Sequence, residues 1–176
     1  MRLFIAVAAD EEVRAEAAAA VARLKKVPGD FRWVDPRDMH VTLRYFGEQP
    51  ESRLPEIEAL MKEAAGRTKA FELVYGKVGA FDSIEQPRVI WIGVKEGTAA
   101  LEAAANAVGR DEPRPYHPHL TIGRNRRQQV PPEFVAALRA ETDISLKHGV
   151  RKISLYASRP APFGHAYEIL SEAELG

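Results

Sequence analysis

Apolar residues recur along this chain with two different periods. Spacings of three and four positions mark one face of an amphipathic helix, whereas strict alternation marks a half-buried strand. Together they predict the order strand, helix, strand, helix, strand, written twice. Helices are expected over about 10–27, 52–65, 98–108 and 132–140, and strands over 3–9, 31–34, 40–46, 71–81, 88–94, 119–122, 144–157 and 165–170.

The first helix and the two most apolar strands have clear local signals. Asp10 can cap the helix while the acidic residues after it complement the helix N-terminus, and Pro28 and Gly29 end it. The run Arg-Leu-Phe-Ile-Ala-Val at 2–7 and the similar run at 88–94 are continuous rather than alternating. Such runs are typical of central strands that are covered on both faces.

One four-residue pattern occurs twice, as His40-Val-Thr-Leu43 and as His119-Leu-Thr-Ile122. In a strand, the His and the Thr of each copy share one face and the two aliphatic residues share the other. Each copy of this His-x-Thr-x motif therefore offers an imidazole and a hydroxyl from a half-buried strand. We predict an α+β fold with two pseudo-symmetric lobes, in which two antiparallel sheets face each other across a central cleft and the helices lie outside, as a single domain over 1–176.

Composition narrows the possible functions. The 176 residues include 25 basic and 25 acidic side chains, so net charge gives no sign of a long nucleic-acid footprint. If the protein handles RNA, it should bind a terminus or a single nucleotide. The absence of cysteine excludes disulfides, thiolate nucleophiles and cysteine-based metal sites. We expect a cytoplasmic monomer that does not associate with membranes, because no apolar run approaches the length of a membrane span.

The sequence around the two motifs resembles a known family. Residues 32–47, which include Arg-Trp-Val-Asp-Pro and the first motif, and residues 118–124, Pro-His-Leu-Thr-Ile-Gly-Arg, are similar to the 2H phosphoesterases. Within that superfamily they look most like the RNA 2′,3′-cyclic phosphodiesterases, also called LigT-like proteins or 2′-5′ RNA ligases. The first strand and the segments 156–159 and 164–168 also resemble this subgroup, so the likeness covers nearly the whole chain.

This resemblance implies hydrolysis of an RNA 2′,3′-cyclic phosphate terminus to a 2′-phosphomonoester, without a metal or other cofactor. It suggests His40 as the proton donor to the departing 3′ oxygen and His119 as the proton acceptor for water. Chemistry fits these residue types, because in-line attack needs an acid and a base on opposite sides of the phosphorus, and an imidazole titrates near neutral pH. The sequence itself does not tell acid from base. RNA ends or small cyclic nucleotides are the expected partners, and reverse 2′-5′ ligation is a family possibility.

Four further side chains are expected at the phosphate. Thr42 and Thr121 share the faces of their histidines and can donate hydrogen bonds to nonbridging oxygens. Arg44 points into the cleft if its strand stays regular. Arg124 stands at an odd offset from Thr121, so it reaches the cleft only if the strand bulges or ends at Gly123.

Other aromatic and histidine residues have less specific interpretations. Tyr45 and Tyr116 could stack a nucleobase, although aromatic residues at strand ends usually belong to a core or its rim. We expect His148 at the surface and His165 at the mouth of the cleft.

Two alternatives stay open. His117 and His119 fall on one strand face, and with His40 they could form a three-histidine zinc site of a metal-dependent phosphodiesterase. The chain could also be a module that binds RNA ends or nucleotides without turnover. Resistance to a strong chelator would exclude the first alternative, and replacement of either motif histidine by alanine would separate an enzyme from a binder.

Overall fold

The computed structural model describes residues 1–127, 129–141, 144–162 and 164–176, and these form nine strands and four α-helices. No helix in these ranges is long and apolar enough to cross a membrane. In chain order the elements are β1 (Arg2–Ala8), α1 (Glu11–Leu24), β2 (Phe31–Trp33), β3 (His40–Glu48), α2 (Leu54–Arg67), β4 (Phe71–Asp82), β5 (Pro87–Glu96), α3 (Thr98–Ala107), β6 (His119–Asn125), α4 (Pro132–Ala140), β7 (Ser145–Val150), β8 (Lys152–Ala161) and β9 (Gly164–Glu174).

The strands make one curled antiparallel sheet with the order β7-β4-β5-β6-β3-β1-β8-β9, and β2 pairs with β6 outside this path. Its two four-stranded wings meet where β3 runs beside β6, and only Val41 and Leu120 are registered as a pair there. The predicted α+β class is confirmed. The two predicted sheets are continuous with each other through this single pair.

The wings are equivalent strand by strand. From the junction outwards, β3 is followed by β1 and β8 in the first wing, and β6 is followed by β5 and β4 in the second. The two wings correspond to the two predicted lobes, but the halves of the chain exchange strands between them. The first half contributes β4 to the second wing, and the second half contributes β8 and β9 to the first.

This exchange corrects the prediction of a single strand over 144–157. The segment is two strands separated at Arg151, with β7 paired to β4 in one wing and β8 paired to β1 in the other. Both strands carry alternating apolar residues, but the alternation changes phase at Arg151, from even positions in β7 (Leu146, Val150) to odd positions in β8 (Ile153, Leu155). Periodicity reports which face of a strand is buried, and it carries no information about which neighbour the strand pairs with.

The four helices of the described ranges pack on one face of the sheet. In β1, Leu3, Ile5 and Val7 belong to the main core, whereas Phe4 and Ala6 belong to a separate small cluster with Tyr156. The expectation that the central strands are covered by other elements on both faces is therefore wrong. The second face of these strands forms a wall of the cleft, and aromatic side chains supply much of its apolar surface.

Candidate active site

The first motif strand contains a bulge at the end of its motif. Thr42 pairs with Ala6 of β1, and Arg44 pairs with Ile5, so Leu43 is an extra residue in β3. An extra residue reverses the alternation of side chains beyond it. Arg44 consequently joins Ile5 on the helix side of the sheet.

The second motif strand bulges at the equivalent place. Thr121 pairs with Trp91 of β5 and Arg124 pairs with Val89, so β6 uses three residues where β5 uses two. Trp91 and Val89 share a face, and Arg124 therefore shares a face with Thr121. This is the bulge beside Gly123 that Arg124 needs in order to reach the cleft.

Arg44 is held away from the cleft by contacts behind the sheet. Its Nη1 donates a hydrogen bond to the Val108 carbonyl at 2.8 Å, its guanidinium lies 4.4 Å from the ring centre of Phe46, and Asp111 is 3.8 Å away. The expectation that Arg44 faces the cleft is wrong, because β3 does not stay regular. Tyr45, 48% exposed, lines the cleft instead and is the counterpart of Arg124 in the other wing.

The two motif histidines have the same hydrogen-bonding arrangement. Nδ1 of His40 lies 2.6 Å from the Asp38 carbonyl, and Nδ1 of His119 lies 2.7 Å from the His117 carbonyl. A carbonyl oxygen only accepts, so each Nδ1 carries the proton and donates it. In each ring this leaves Nε2 as the nitrogen that can gain or lose a proton.

The Val41–Leu120 pair sets how the two motifs face each other. In its antiparallel register, His40 lies opposite Thr121 and His119 lies opposite Thr42. The two histidines are thus diagonal neighbours, for which backbone positions are about 7–8 Å apart in a regular sheet. The electrostatic effect of His119 on the pKa of His40 agrees with this proximity.

Two cavities open on either side of this point. One of about 560 Å³ is lined by His40, Thr42, Tyr45 and Arg124, and one of about 440 Å³ is lined by His119 and Tyr116. Thr42 lines both. The Tyr116 hydroxyl donates to the Thr42 carbonyl at 2.9 Å, so Tyr116 also fixes the backbone of the first motif.

Aromatic rings surround the His40 imidazole. Its ring centre lies 4.8 Å from that of Phe4 and 5.5 Å from those of Tyr156 and Tyr167. Sequence reasoning missed all three residues. The strand next to the first motif strand did contain a signal, because Phe4 of β1 is aromatic and points to the face opposite Leu3 and Ile5. It was interpreted as part of a buried core.

The His119 imidazole has an equivalent aromatic wall. Phe81 approaches it edge-on with ring centres 5.0 Å apart, and Trp91 lies 6.3 Å away. Trp91 can lie flat against the sheet because β4 has Gly79 opposite it, where a Cβ atom would come within 2.3 Å of the indole. The wall is therefore built from a glycine and two aromatic residues on neighbouring strands.

Burial lowers the pKa of both imidazoles. The pKa of His40 falls to about 4, chiefly through loss of hydration and further through the positive charges of His119 and Arg124, against the hydrogen bond to Asp38. The pKa of His119 is also lowered, mainly by burial and then by the charges of His117 and Arg124. The unperturbed pKa values assumed from the sequence do not hold, and His40 is neutral in the free enzyme at neutral pH. A bound anion would raise both pKa values.

The remaining three histidines lie in different surroundings. His117 packs 6.1 Å from His119, ring centre to ring centre, yet no group of three or more metal-ligating side chains is assembled within the described ranges. His165 lines the larger cavity near Arg2, as expected. His148 is buried rather than exposed, and it lies 3.3 Å from the Tyr75 hydroxyl, remote from the motifs.

Comparison with known families agrees with the resemblance in the motifs. The model of the 2′-5′ RNA ligase superfamily matches residues 9–160. A protein of Archaeoglobus fulgidus named RNA 2′,3′-cyclic phosphodiesterase is 34% identical over 97% of this chain and 98% of its own length. One of the same name from Thermotoga maritima is 30% identical over 99% of this chain and 95% of its own.

Solved structures have the same fold. A crystal structure of a Thermus thermophilus protein superposes with a TM-score of 0.81 at 28% identity, covering 99% of this chain and 98% of that one. Escherichia coli LigT in complex with 3′-AMP gives a TM-score of 0.76 at 25% identity, with 99% and 97% covered.

Proposed function

The chain belongs to the 2′-5′ RNA ligase superfamily, and from this premise we propose that it hydrolyses 2′,3′-cyclic phosphates at the 3′ ends of RNA to 2′-phosphomonoesters. The observation that carries the proposal is the matched pair of motif histidines. Both donate Nδ1–H to a backbone carbonyl two residues earlier, and both keep Nε2 for the cleft. In-line displacement requires a proton acceptor on one side of the phosphate and a proton donor on the other.

In the proposed reaction, His119 Nε2 takes a proton from water as the water oxygen bonds to phosphorus. The bond from phosphorus to the 3′ oxygen breaks on the opposite side, and His40 Nε2–H gives its proton to that oxygen. The 2′ ester stays intact. One proton enters the site from water and one leaves it with the ribose hydroxyl, so exchange with solvent restores the starting state.

The negative charge of the phosphate has matching donors. Thr42 and Thr121 lie across from the histidines in the register of the two strands, where their hydroxyls can donate to nonbridging oxygens. Arg124 contributes a positive charge that is close enough to lower the pKa of both imidazoles. The phosphate would neutralise this charge and raise the pKa of His40, which an acid needs.

The two cavities suit the two sides of the displacement. The larger one, on the His40 side, would hold the terminal nucleoside, with Tyr45 stacked on the base. The smaller one, on the His119 side, would admit water, and a 5′-hydroxyl end in the reverse ligation. Tyr116 would then act by holding the Thr42 backbone and lining the smaller cavity.

The proposal extends to the organisation of the protein. The whole chain, 1–176, would work as one bilobal domain, as a monomer in the cytoplasm, without metal or cofactor. RNA ends and small cyclic nucleotides are its proposed substrates. The continuous sheet that joins the wings supports the single domain, because both wings contribute one motif each to the same cleft.

A product analysis tests the proposed function. An RNA ending in a 2′,3′-cyclic phosphate should be converted to the 2′-monophosphate, because the 3′ oxygen departs beside His40. The reaction should proceed at the same rate after dialysis against a strong chelator. A 3′-monophosphate would contradict the proposed geometry, and activity lost to chelator and restored by zinc would favour the three-histidine alternative.

The two arginines that follow the motifs should have separable effects. Arg44→Met is expected to lower the free energy of unfolding by about 1–2 kcal/mol, since it leaves the Val108 carbonyl without its donor. It should leave kcat/KM nearly unchanged. Arg124→Met should lower kcat/KM by about 10²-fold or more through loss of phosphate stabilisation, with little change in stability. Urea denaturation and steady-state kinetics of both variants check this, and a kinetic loss of similar size in both would contradict the assignment.

A further inference from the structure

A groove rich in arginine continues from the larger cavity. Its volume is about 480 Å³, and its basic lining consists of Arg32, Arg88, Arg124 and Arg126, which we call the arginine groove. Arg32 and Arg124 line the larger cavity as well, so the two spaces communicate. This concentration of positive charge contrasts with a chain that carries 25 basic and 25 acidic residues overall.

The groove holds its charges in an arrangement that costs stability. Arg32 of β2 and Arg124 of β6 are directly opposite each other in the sheet, and like charges in that position repel. Gly164 lets the Arg32 guanidinium approach the backbone, because a Cβ atom there would lie 2.7 Å from Nη1 of Arg32. Gly164 thus makes room for the Arg32 guanidinium but provides no negative charge to balance it.

Neighbouring carboxylates do not relieve this repulsion. Across the described part of the chain, ion pairs within 4.0 Å involve neither Arg32 nor Arg124 nor Arg126, whereas Arg127, the next residue, pairs with Asp30 at 3.0 Å. Arg88 has a partner, Asp82 at 3.5 Å, at an exposed site. The groove therefore presents positive charge that is not paired within the described part of the chain and that suits a bound anion.

We propose that the arginine groove binds internucleotide phosphates of the RNA strand on the 5′ side of the cyclic end, an inference that rests on the proposed function. The cyclic phosphate occupies the 2′,3′ edge of the last ribose, between the motif histidines. The strand leaves that ribose through its 5′ oxygen, away from the reacting edge. Arg124 stands at the junction, and Arg126 lies further along the same strand direction, where upstream phosphates would pass.

The consequence is a preference for chain length. A cyclic mononucleotide fills the larger cavity but leaves the groove empty, whereas a short oligonucleotide places one or more phosphates in it. Arginine binds phosphate through paired N–H donors, and each phosphate contact adds to the dependence of binding on salt. The gain should therefore appear mainly in KM and should shrink as salt increases.

The test compares 2′,3′-cyclic AMP with oligonucleotides of two, three and four residues that end in the same cyclic adenosine. The oligonucleotides should have kcat/KM values about 10-fold or more above the mononucleotide at low salt. Arg126→Gln should remove about 3- to 10-fold of this gain, and Arg126→Glu more, without affecting 2′,3′-cyclic AMP. Arg127→Gln is the matched control, because it changes charge equally one residue away but outside the groove.

The outcomes separate this inference from the function on which it rests. Equal kcat/KM values for mononucleotide and oligonucleotides would overturn the groove and leave the hydrolase intact. Equal losses in the Arg126→Gln and Arg127→Gln variants would also overturn it, since a general effect of charge would then explain the preference. If neither 2′,3′-cyclic AMP nor any of the oligonucleotides is hydrolysed, the proposed function itself is overturned.

Discussion

Replacing His119 by alanine is expected to lower kcat for hydrolysis of a 2′,3′-cyclic phosphate by about 10²–10⁴-fold, and His40→Ala should have an effect of the same order. Each ring belongs to a motif at the Val41–Leu120 junction and donates Nδ1–H to a backbone carbonyl, which leaves its Nε2 for proton transfer. Binding of the 2′-phosphate product should change little, because Arg124 and the motif threonines remain. Single-turnover kinetics and product titration measure the two quantities separately.

His117→Ala is the matched control for this pair. The His117 side chain lies beside His119, but it is the backbone carbonyl of residue 117 that accepts the Nδ1–H bond, and alanine retains it. We therefore expect only a small reduction in kcat. A loss as large as that of His119→Ala would favour the three-histidine metal site, and a loss of affinity without loss of turnover in the His40 or His119 variants would indicate a binding module.

A substrate with sulfur in place of the 3′ oxygen assigns acid and base. A thiolate leaves without being protonated, so His40→Ala should recover most of its lost rate on this substrate, whereas His119→Ala should not. This test is needed because burial lowers the pKa of His40, the proposed acid, to about 4, so the ring holds its proton weakly in the free enzyme. Recovery in the His119 variant instead would exchange the two roles.

The sequence predicted the elements better than their partners. The doubled order of helices and strands and the His-Thr faces follow from periodicity, which a single segment carries by itself. The exchange of β4, β8 and β9 between the wings depends on pairing between distant segments. The apolar alternation changes phase at Arg151, which indicates a break between two strands but does not tell which wing each strand joins.

The face on which each site residue lies could be predicted from the sequence as far as the bulge in each motif strand. Within each motif the strand is regular, so the faces of His and Thr follow from alternation. Beyond the motif an extra residue in each strand reverses the faces, and this placed Arg44 behind the sheet and Arg124 in front. Gly123 gave a hint of the second bulge, but the first falls among Leu43, Arg44 and Tyr45, where no glycine indicates it. The lowered pKa values could not be foreseen, because they depend on aromatic residues from other strands.

The second large effect is expected in the dependence of kcat/KM on pH. This ratio follows the protonation of the free enzyme, and the mechanism needs one proton shared by the two imidazoles. Burial lowers both pKa values, that of His40 to about 4, so each ring takes up its proton only at a pH below that of an ordinary histidine. Above the higher of the two pKa values, the singly protonated form decreases tenfold for each unit of pH.

We therefore expect a bell-shaped profile with its maximum on the acid side of about pH 6.5, the ordinary value for histidine, and a fall of about 100-fold over two units on its alkaline limb. The alkaline limb of kcat should lie at higher pH than that of kcat/KM, because the bound phosphate anion raises the pKa of both rings. In Arg124→Met, loss of the positive charge should move the kcat/KM limb upward even though the rate is lower. A kcat/KM profile with a single limb, or one that stays flat from about pH 5 to 9, would contradict the pairing of two buried imidazoles across one phosphate.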